Sequence, residues 1–327
     1  MKGMILAAGL GTRLYPLTAF LAKPAVPFLN RPLIHYARDL LLGAGLSRIV
    51  VNSHHLPRSL SQALEAEART KGHQINFSHE ENILGTAGAM GKVRDFLKDD
   101  TFVVLSGKIY FEQNLEPAIR FHRDHNNLVT LVLIPHSPED SYASVWVDAE
   151  DNITGFRPES EGDPFAFAGV HILDPQVLGF IPEGPSETVN DIYPRLIREG
   201  HRVQAFVSDA YWCECSTPGN YLSKSLEILR RRNLDNLMVN ETEASCEGVI
   251  AAPSVQIDPD CLLKDSILWD DVRVSEGSTL SNVIVTQGVS LKPNSHLENA
   301  IITPRSEKLV HESIMGRPVE DYCVYPL

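Results

Sequence analysis

The sequence has few cysteines and none in a metal-binding spacing. Its 327 residues include five cysteines, an odd number with no Cys-x-x-Cys pair. Disulfide frameworks of secreted domains use evenly paired cysteines, and structural zinc sites use closely spaced ligands. We therefore expect reduced thiols in a cytoplasmic protein, with neither a disulfide framework nor a zinc centre.

Long apolar runs are also lacking, and so is an excess of positive charge. No apolar stretch is long enough to span a bilayer, and the start of the chain lacks the pattern of a signal peptide. Lys and Arg number 29 against 42 Asp and Glu, which gives a net charge of −13. This balance argues against nucleic acid or an anionic membrane as a partner.

What the sequence does have is a glycine loop at its start. Residues 3–8 are apolar and predict a buried strand, which leads into Gly9, Gly11 and Arg13, with Lys23 ten residues later. Glycines let backbone N–H groups approach a phosphate, and cationic side chains neutralise its charge. We therefore predict a polyphosphate site at the end of this strand. The candidate nucleotide-binding residues are Leu6, Ala7, Ala8, Gly9, Gly11, Thr12 and Arg13.

This loop differs from two common phosphate-binding motifs. No Gly-Lys-Ser/Thr closes it, so it is not a P-loop. Leu14 stands where the dinucleotide fingerprint needs a third glycine.

Strands and helices alternate through the first half of the chain. Predicted strands cover 48–52, 74–78, 101–105 and 129–134, and predicted helices cover 33–44, 58–71 (ending near Gly72), the segment after Gly85, and 114–125. This alternation predicts an α/β fold with a Rossmann-like, mainly parallel sheet and helices on both faces. Beyond it we expect strands at 143–147, 166–173 and 202–207 and helices at 174–180, 189–199 and 218–234. Residues 1–235 would form this domain.

The last third of the chain carries a different pattern. Between 246 and 304, small apolar residues recur about every five or six positions, separated by Gly, Asn, Asp, Ser and Pro. The pattern resembles hexapeptide-repeat coils, which form short left-handed parallel β-helices, and the alternative is a small irregular β-domain. Exposed ends of such coils favour packing, so we expect a homo-oligomer through this region, with residues 305–327 as a tail.

The string G-x-G-T-R-x-x-P-L-T followed by K-P-x-x-P resembles the signature of the sugar-1-phosphate nucleotidylyltransferases. The resemblance is nearest to mannose-1-phosphate guanylyltransferase-like proteins. It implies transfer of a nucleotidyl group from a nucleoside triphosphate to a sugar 1-phosphate, with pyrophosphate as the leaving group. It also implies that Arg13 holds the β- and γ-phosphates, that Lys23 contacts the reacting phosphates, and that Mg²⁺ is bound by two aspartates.

Two further segments match this family, with departures at the metal positions. The segment 81–89 resembles the base-recognition segment, and its L-G-T-A-G form slightly favours GTP; Gly85, Thr86 and Ala87 are its nucleotide-binding candidates. The strand ending in Ser106-Gly107 resembles the one leading to the first metal aspartate. Gly107 is a further nucleotide-binding candidate, but the aspartate position itself holds Lys108.

The second metal aspartate lies in a W-x-D-x-G-T-P string in this family, and Glu214 takes its place here. The resemblance thus implies a weakened Mg²⁺ site with Glu214 as its ligand and Lys108 as a catalytic candidate. On the sugar side, Arg157 stands where a phosphate-binding lysine is expected. Gly169, Asn190 and Asp191 lie in strings that resemble sugar-pocket segments.

Two hypotheses follow from these departures. In the first, the chain is an active nucleotidylyltransferase in which the Lys108 ammonium stands where the charge of the metal usually sits, or in which Glu214 and the phosphates alone hold Mg²⁺. In the second, the chain is a catalytically impaired homologue that binds a nucleotide or nucleotide sugar as a sensor or regulatory subunit. Phosphate binding by the glycine loop fits both.

Overall fold

The computed structural model describes residues 1–71, 73–135, 144–156, 162–238, 242–306, 316–319 and 321–327. Gly72, residue 143 and the candidate Arg157 lie outside the described residues. By its contacts the chain divides into two compact units. Residues 1–10 and 33–214 form unit 1, and residues 11–32 and 215–327 form unit 2.

Unit 1 is built on a nine-stranded sheet with a parallel core. Its strands are β1 (Lys2–Leu6), β4 (Arg48–Ser53), β5 (Gln74–His79), β6 (Phe102–Ser106), β8 (Val129–Pro135), β9 (Ser144–Val147), β10 (Ile153–Gly155), β11 (Asp163–Leu173) and β12 (Val203–Val207). Strand β1 pairs in parallel with β4 and β6, β4 with β5, and β8 with β12. The predicted parallel α/β core is confirmed.

One side of this sheet is antiparallel, which the simple alternation of elements did not predict. The long strand β11 runs antiparallel to β6, β8 and β9, and its register with β8 shifts between Phe167 and Val170. A shift of this kind is a β-bulge, which bends a strand and re-aims its side chains. The bulge contains Gly169, whose φ of 77° lies in the region that favours glycine.

The helices of unit 1 form where apolar residues recur at helical spacing. They are α1 (Ile34–Gly43), α2 (Pro57–Lys71), α3 (Gly85–Lys92), α4 (Arg94–Leu97), α5 (Glu116–Asp124) and α6 (Tyr193–Arg198). A 3-10 helix covers Pro175–Phe180, and a π-helical turn covers Thr188–Ile192 just before α6. The core strands are buried along nearly their whole length, because helices cover the sheet. A two-stranded ribbon, β7 (Ile109–Phe111) with β13 (Trp212–Glu214), completes the unit.

Unit 2 combines the segment 11–32 with the C-terminal third of the chain. The segment contains the short strands β2 (Pro27–Phe28) and β3 (Arg31–Pro32), and α7 (Pro218–Arg231) opens the C-terminal part. The Tyr221 hydroxyl donates to the carbonyl oxygen of Pro27 at 2.6 Å, and the Asn30 amide donates to the carbonyl oxygen of Ala251 at 2.7 Å. These bonds fasten residues 11–32 to α7 and to the first C-terminal strand.

The C-terminal strands stack in parallel with a constant interval. One sheet contains β14 (Ser245–Ala251), β16 (Leu262–Leu268), β18 (Thr279–Val285) and β20 (His296–Pro304); a second contains β15 (Gln256–Ile257), β17 (Arg273–Val274) and β19 (Ser290–Leu291). The register pairs residue 245 with 262, 262 with 279 and 279 with 296, an interval of 17 residues. Strands β21 (Arg317–Val319) and β22 (Tyr322–Pro326) follow, and β22 pairs antiparallel with β20.

The composition of the four long strands reflects one special backbone position inside each of them. Gly248, Asp265, Asn282 and Asn299 all have positive φ and stand 17 residues apart. Glycine, asparagine and aspartate are the residues that adopt this conformation at least cost. The apolar residues Ile250, Ile267, Ile284 and Ile301 repeat at the same interval and are buried. The same 17-residue interval therefore sets both the positive-φ position in each strand and the buried isoleucine two residues after it.

No helix in the described part of the chain is long and apolar enough to cross a membrane. All five cysteines are free thiols.

Candidate functional site

The glycine loop begins at the carboxyl end of β1 in unit 1. Ala7 and Ala8 are buried, while Gly9 and Leu10 are exposed. A Cβ atom added at Gly9 would have no heavy atom within 4 Å beyond its chain neighbours. The backbone N–H groups of Gly9 and Leu10 donate no hydrogen bond to any residue that the structure describes. Backbone N–H groups of exposed residues, without a hydrogen-bond acceptor in the described part of the chain, are what a phosphate-binding loop needs.

The second half of the loop, from Gly11 onward, belongs to unit 2 and is held by a hydrogen bond between two of its own residues. The Thr18 hydroxyl donates to the carbonyl oxygen of Gly11 at 3.0 Å. Gly11 has a φ of 70°, and a Cβ atom there would stand 3.1 Å from the Cβ of Lys23. Lys23 is 7% exposed, whereas Thr12 and Arg13 are exposed. The structure thus brings Gly11 and Lys23 into close packing.

A buried polar network fixes the unit 1 end of this loop. The Ala7 N–H donates to Asn52 Oδ1 at 2.6 Å, and Asn52 Nδ2 donates to Glu80 Oε1 at 2.7 Å. Glu80 Oε2 in turn accepts the N–H of Leu84 at 2.9 Å. The network therefore ties the end of β1 to the residue before Gly85. Asn52 and Glu80 were not among the predicted site residues, and the available signal was a polar residue at the end of each of two successive parallel strands.

The predicted base-recognition residues lie at the start of α3 and pack against the segment 184–188. The Thr86 N–H and hydroxyl donate to Glu187 Oε2 at 3.1 and 2.6 Å, and the Ala87 N–H donates to the carbonyl oxygen of Ser186 at 3.0 Å. A Cβ atom on Gly85 would stand 2.5 Å from that same carbonyl oxygen. The first N–H groups of this helix are thus bonded within the unit.

Glu187 connects this helix to two of the predicted sugar-binding residues. Its backbone N–H donates to Asp191 Oδ2 at 2.7 Å, and the Asp191 N–H donates back to the Glu187 carbonyl oxygen at 3.1 Å. Asn190 and Asp191 are exposed on the π-helical turn. Glu187 was missed by the sequence analysis, because its contact with Thr86 joins segments about a hundred residues apart.

A third cluster forms where β6 ends. The Gly107 N–H donates to the carbonyl oxygen of Leu6 at 2.9 Å, so Gly107 lies beside the end of β1. A Cβ atom on Gly169 would stand 3.0 Å from the Cβ of Ser106. Trp212 Nε1 donates to the carbonyl oxygen of Ala168 at 2.9 Å. The end of β6, the bulge of β11 and the ribbon strand β13 therefore meet at one place.

Lys108 and Glu214 form an ion pair within this cluster. Lys108 Nζ lies 2.7 Å from Glu214 Oε1, and the side chains are 37% and 15% exposed, respectively. The ribbon sets this contact, because Glu214 pairs in register with Ile109, the residue after Lys108. The two residues that replace the expected aspartates are thus in direct contact with each other.

The donor set at this pair does not fit Mg²⁺. Magnesium prefers a near-octahedral set of oxygen ligands, and a protonated lysine supplies none. Glu214 is the carboxylate of the pair, and the ammonium already occupies one of its oxygens. Among the described residues, no group of three or more His, Cys, Asp or Glu side chains is arranged to hold a metal ion.

Comparison with known proteins gives matches along most of the chain. The model of the nucleotidyl transferase family matches residues 2–231. A probable mannose-1-phosphate guanylyltransferase from Oryza sativa subsp. japonica is 28% identical over 92% of this chain and 86% of its own length. A UTP–glucose-1-phosphate uridylyltransferase from Synechocystis is 27% identical over 99% of this chain and 88% of its own length.

A crystal structure of a putative glucose-1-phosphate thymidylyltransferase from Bacillus anthracis shares the fold. It superposes with a TM-score of 0.62 at 22% identity, covering 74% of this chain and 97% of the other. These three proteins differ in the nucleotide that their names specify, while all three names specify a sugar 1-phosphate.

Proposed function

We propose that this chain makes a nucleoside diphosphate sugar from a nucleoside triphosphate and a sugar 1-phosphate, since it belongs to the nucleotidyl transferase family and is a sugar-1-phosphate nucleotidyltransferase. A phosphate oxygen of the sugar 1-phosphate attacks the α-phosphorus, the bond to the β-phosphate oxygen breaks, and pyrophosphate leaves. We propose GTP as the favoured donor, which the L-G-T-A-G string and the guanylyltransferase relatives support.

The glycine loop is the observation that carries this proposal. Gly9 and Leu10 are exposed, and their N–H groups donate to no residue that the structure describes, which suits a polyphosphate. Catalysis of phosphoryl-type transfer consists largely of positioning and charge neutralisation. Arg13 would hold the β- and γ-phosphates as they leave, and Lys23, fixed by packing against Gly11, would contact the phosphates at the reacting centre.

The remaining candidates are assigned by their clusters. Leu6 at the carboxyl end of β1, the following residues Ala7 and Ala8, and the adjacent Gly107 would contact the nucleotide. Gly85, Thr86 and Ala87 would contact its base. Gly169, Asn190 and Asp191 would contact the sugar. Family members generally use a divalent metal ion, and in this chain the Lys108–Glu214 pair stands at the positions of the two expected metal-binding aspartates.

For the C-terminal region we propose a left-handed hexapeptide-repeat β-helix over 246–304 that mediates homo-oligomerisation. The constant 17-residue register, close to three hexapeptides per turn, supports the repeat. A reducing cytoplasmic location is supported by the five free thiols. Light scattering on the full chain should give a mass above the 36.3 kDa of one chain, and a monomer would contradict the oligomer.

The experiment that tests the activity is pyrophosphate release across four nucleoside triphosphates and a panel of sugar 1-phosphates that includes mannose, glucose and N-acetylglucosamine 1-phosphates. We expect turnover with one pair, with GTP as donor. Arg13→Gln should lower kcat/KM by roughly 10- to 100-fold, because it removes a charge-assisted contact to the leaving phosphates. The matched control Arg120→Gln removes an exposed arginine of α5 and should leave turnover unchanged.

The Lys108–Glu214 pair favours a second candidate function. A chain without the two metal aspartates could bind a nucleotide or nucleotide sugar without turning it over, and serve as a sensor or regulatory subunit. Thermal stabilisation by these ligands, with no pyrophosphate released from any substrate pair, would support this candidate over the enzyme.

A further inference from the structure

We propose that Lys108 is a built-in cation that binds the diphosphate group of a nucleotide or nucleotide sugar, so that this chain holds its ligand without a divalent metal ion. The inference rests on the proposed function in one respect, namely that the chain binds such ligands. It goes beyond it by assigning the phosphate-binding charge of this centre to a side chain.

The backbone, and not one side-chain conformation, places Lys108 at the carboxyl edge of the sheet. Gly107 is bonded to the last residue of β1, and Ile109 begins the ribbon strand β7. Backbone hydrogen bonds or pairing of both neighbours, Gly107 and Ile109, therefore hold Lys108 in place. Gly107 bonds to the end of β1, the strand that leads into the glycine loop. In open α/β sheets this edge is where ligands bind.

The two members of the ion pair differ in exposure. Glu214 is the more buried partner at 15%, and Lys108 is the more exposed at 37%. An ammonium has three N–H donors, and Glu214 Oε1 accepts one of them at 2.7 Å. The carboxylate thus anchors the lysine from the more buried side, while the Lys108 side chain stays partly exposed and its two other N–H donors could bond to phosphate oxygens.

The charge of the pair is also consistent with a centre that needs no metal. One lysine and one glutamate sum to zero, the same total as Mg²⁺ with two carboxylates. Addition of Mg²⁺ to the lysine and glutamate would leave two uncompensated positive charges and would bring the metal close to an ammonium. The lysine and glutamate therefore give this centre the same total charge as a metal with two carboxylates, and the lysine disfavours binding of a metal ion.

The test is the affinity for GDP-mannose, measured by calorimetry with excess EDTA and with excess Mg²⁺. GDP-mannose suits this purpose because both ends of its diphosphate are esterified, so the free ligand carries little metal. We expect the Kd of the natural chain to differ by less than about twofold between the two conditions. Lys108→Gln should weaken binding about 10- to 100-fold in both conditions, because it removes a charged hydrogen-bond donor.

Lys98→Gln is the matched control. Lys98 lies in the same unit and pairs with Asp95 at 2.8 Å, but it is on the exposed α4 side and outside the site. It should leave the Kd unchanged. Lys108→Arg, which keeps the positive charge, should retain most of the affinity if Gln does not, and denaturant unfolding of each variant checks that the fold is intact.

A double variant, Lys108→Asp with Glu214→Asp, supplies the opposite arrangement. Two carboxylates should create a metal requirement: weak GDP-mannose binding in EDTA, restored by Mg²⁺, and bound Mn²⁺ detectable by electron paramagnetic resonance. The natural chain should show no bound Mn²⁺ at this centre.

The outcomes separate the two proposals. If the natural chain binds GDP-mannose only with Mg²⁺, or if Lys108→Gln binds as well as the natural chain, the built-in cation is wrong and the proposed function stands. If neither GDP-mannose nor any other nucleoside diphosphate sugar or triphosphate binds under either condition, both proposals fail.

Discussion

At the scale of single residues, the Glu80 side chain shows how a buried carboxyl group is held by hydrogen bonds. It is 1% exposed and accepts hydrogen bonds from the Asn52 amide and the Leu84 N–H. A buried carboxylate loses its hydration and must recover it from hydrogen-bond donors. Asn52 also accepts the Ala7 N–H, so one amide side chain satisfies groups on both sides of it.

Asn52→Ala should therefore destabilise the fold more than a typical surface substitution. It leaves the Ala7 N–H and one Glu80 oxygen without their partner, at roughly 1–3 kcal/mol for each buried group. Urea unfolding should show this loss in the free energy of unfolding. The exposed Asn82→Ala serves as the control and should stay within about 0.5 kcal/mol. A loss for Asn52→Ala as small as that of the control would mean that the network adds nothing to stability.

At the scale of elements, helix α3 shows why a motif can be found in the sequence while its contacts cannot. From the sequence, the glycine of the segment 81–89 and its resemblance to base-recognition segments predict a nucleotide-binding role. In the structure, Gly85 and Gly88 would place Cβ atoms 2.5 Å from the carbonyl oxygens of Ser186 and Gly184, respectively. The glycines thus allow the helix to lie directly on another backbone segment. No local pattern encodes this contact, since it depends on residues about a hundred positions away.

Gly85→Ala should destabilise unit 1 by several kcal/mol. The substitution combines a φ of 72° with a clash against a backbone oxygen, and each cost is about 1 kcal/mol or more. Gly43→Ala is the matched control, because Gly43 is the last residue of α1 and has open space around it. There alanine should be neutral or stabilise by about 0.4–1 kcal/mol. Equal melting temperatures for the two variants would show that α3 does not rest on the 184–188 segment as described.

At the scale of the whole molecule, local sequence patterns predict many of the helices and strands, whereas long-range contacts determine how the strands pair and which site residues meet. The apolar runs predicted β1, β4, β6 and β8 within a few residues, because each is a buried strand of a covered sheet. The antiparallel placement of β11 depends on pairing with three separate strands, which no run of residues specifies. The Lys108–Glu214 contact was similarly beyond reach: both residues were singled out as departures, but their pairing follows from the ribbon between β7 and β13.

The pH dependence of global stability should reflect two buried histidines, His122 and His171. Burial lowers the pKa of His122 to about 4 and that of His171 to about 3, from an ordinary value of 6.5. Both stay neutral in the fold, where His122 bonds to the Thr130 hydroxyl and His171 to the Tyr193 hydroxyl. Because the unfolded chain takes up protons below pH 6.5 and the folded chain does not, stability is fully present above that pH. It falls as the pH approaches the folded pKa values.

Between pH 6 and pH 5 the two histidines together should remove about 2 kcal/mol of unfolding free energy. Urea titrations at each pH measure the slope of the unfolding free energy against pH. His122→Gln keeps a polar partner for Thr130 but cannot titrate, so it should lower the slope by about half. His125→Gln removes an exposed histidine just beyond the same helix and should leave the slope unchanged. If His122→Gln has the same pH dependence as the natural chain, His122 does not contribute to it, and the fall in stability must come from His171 and other groups.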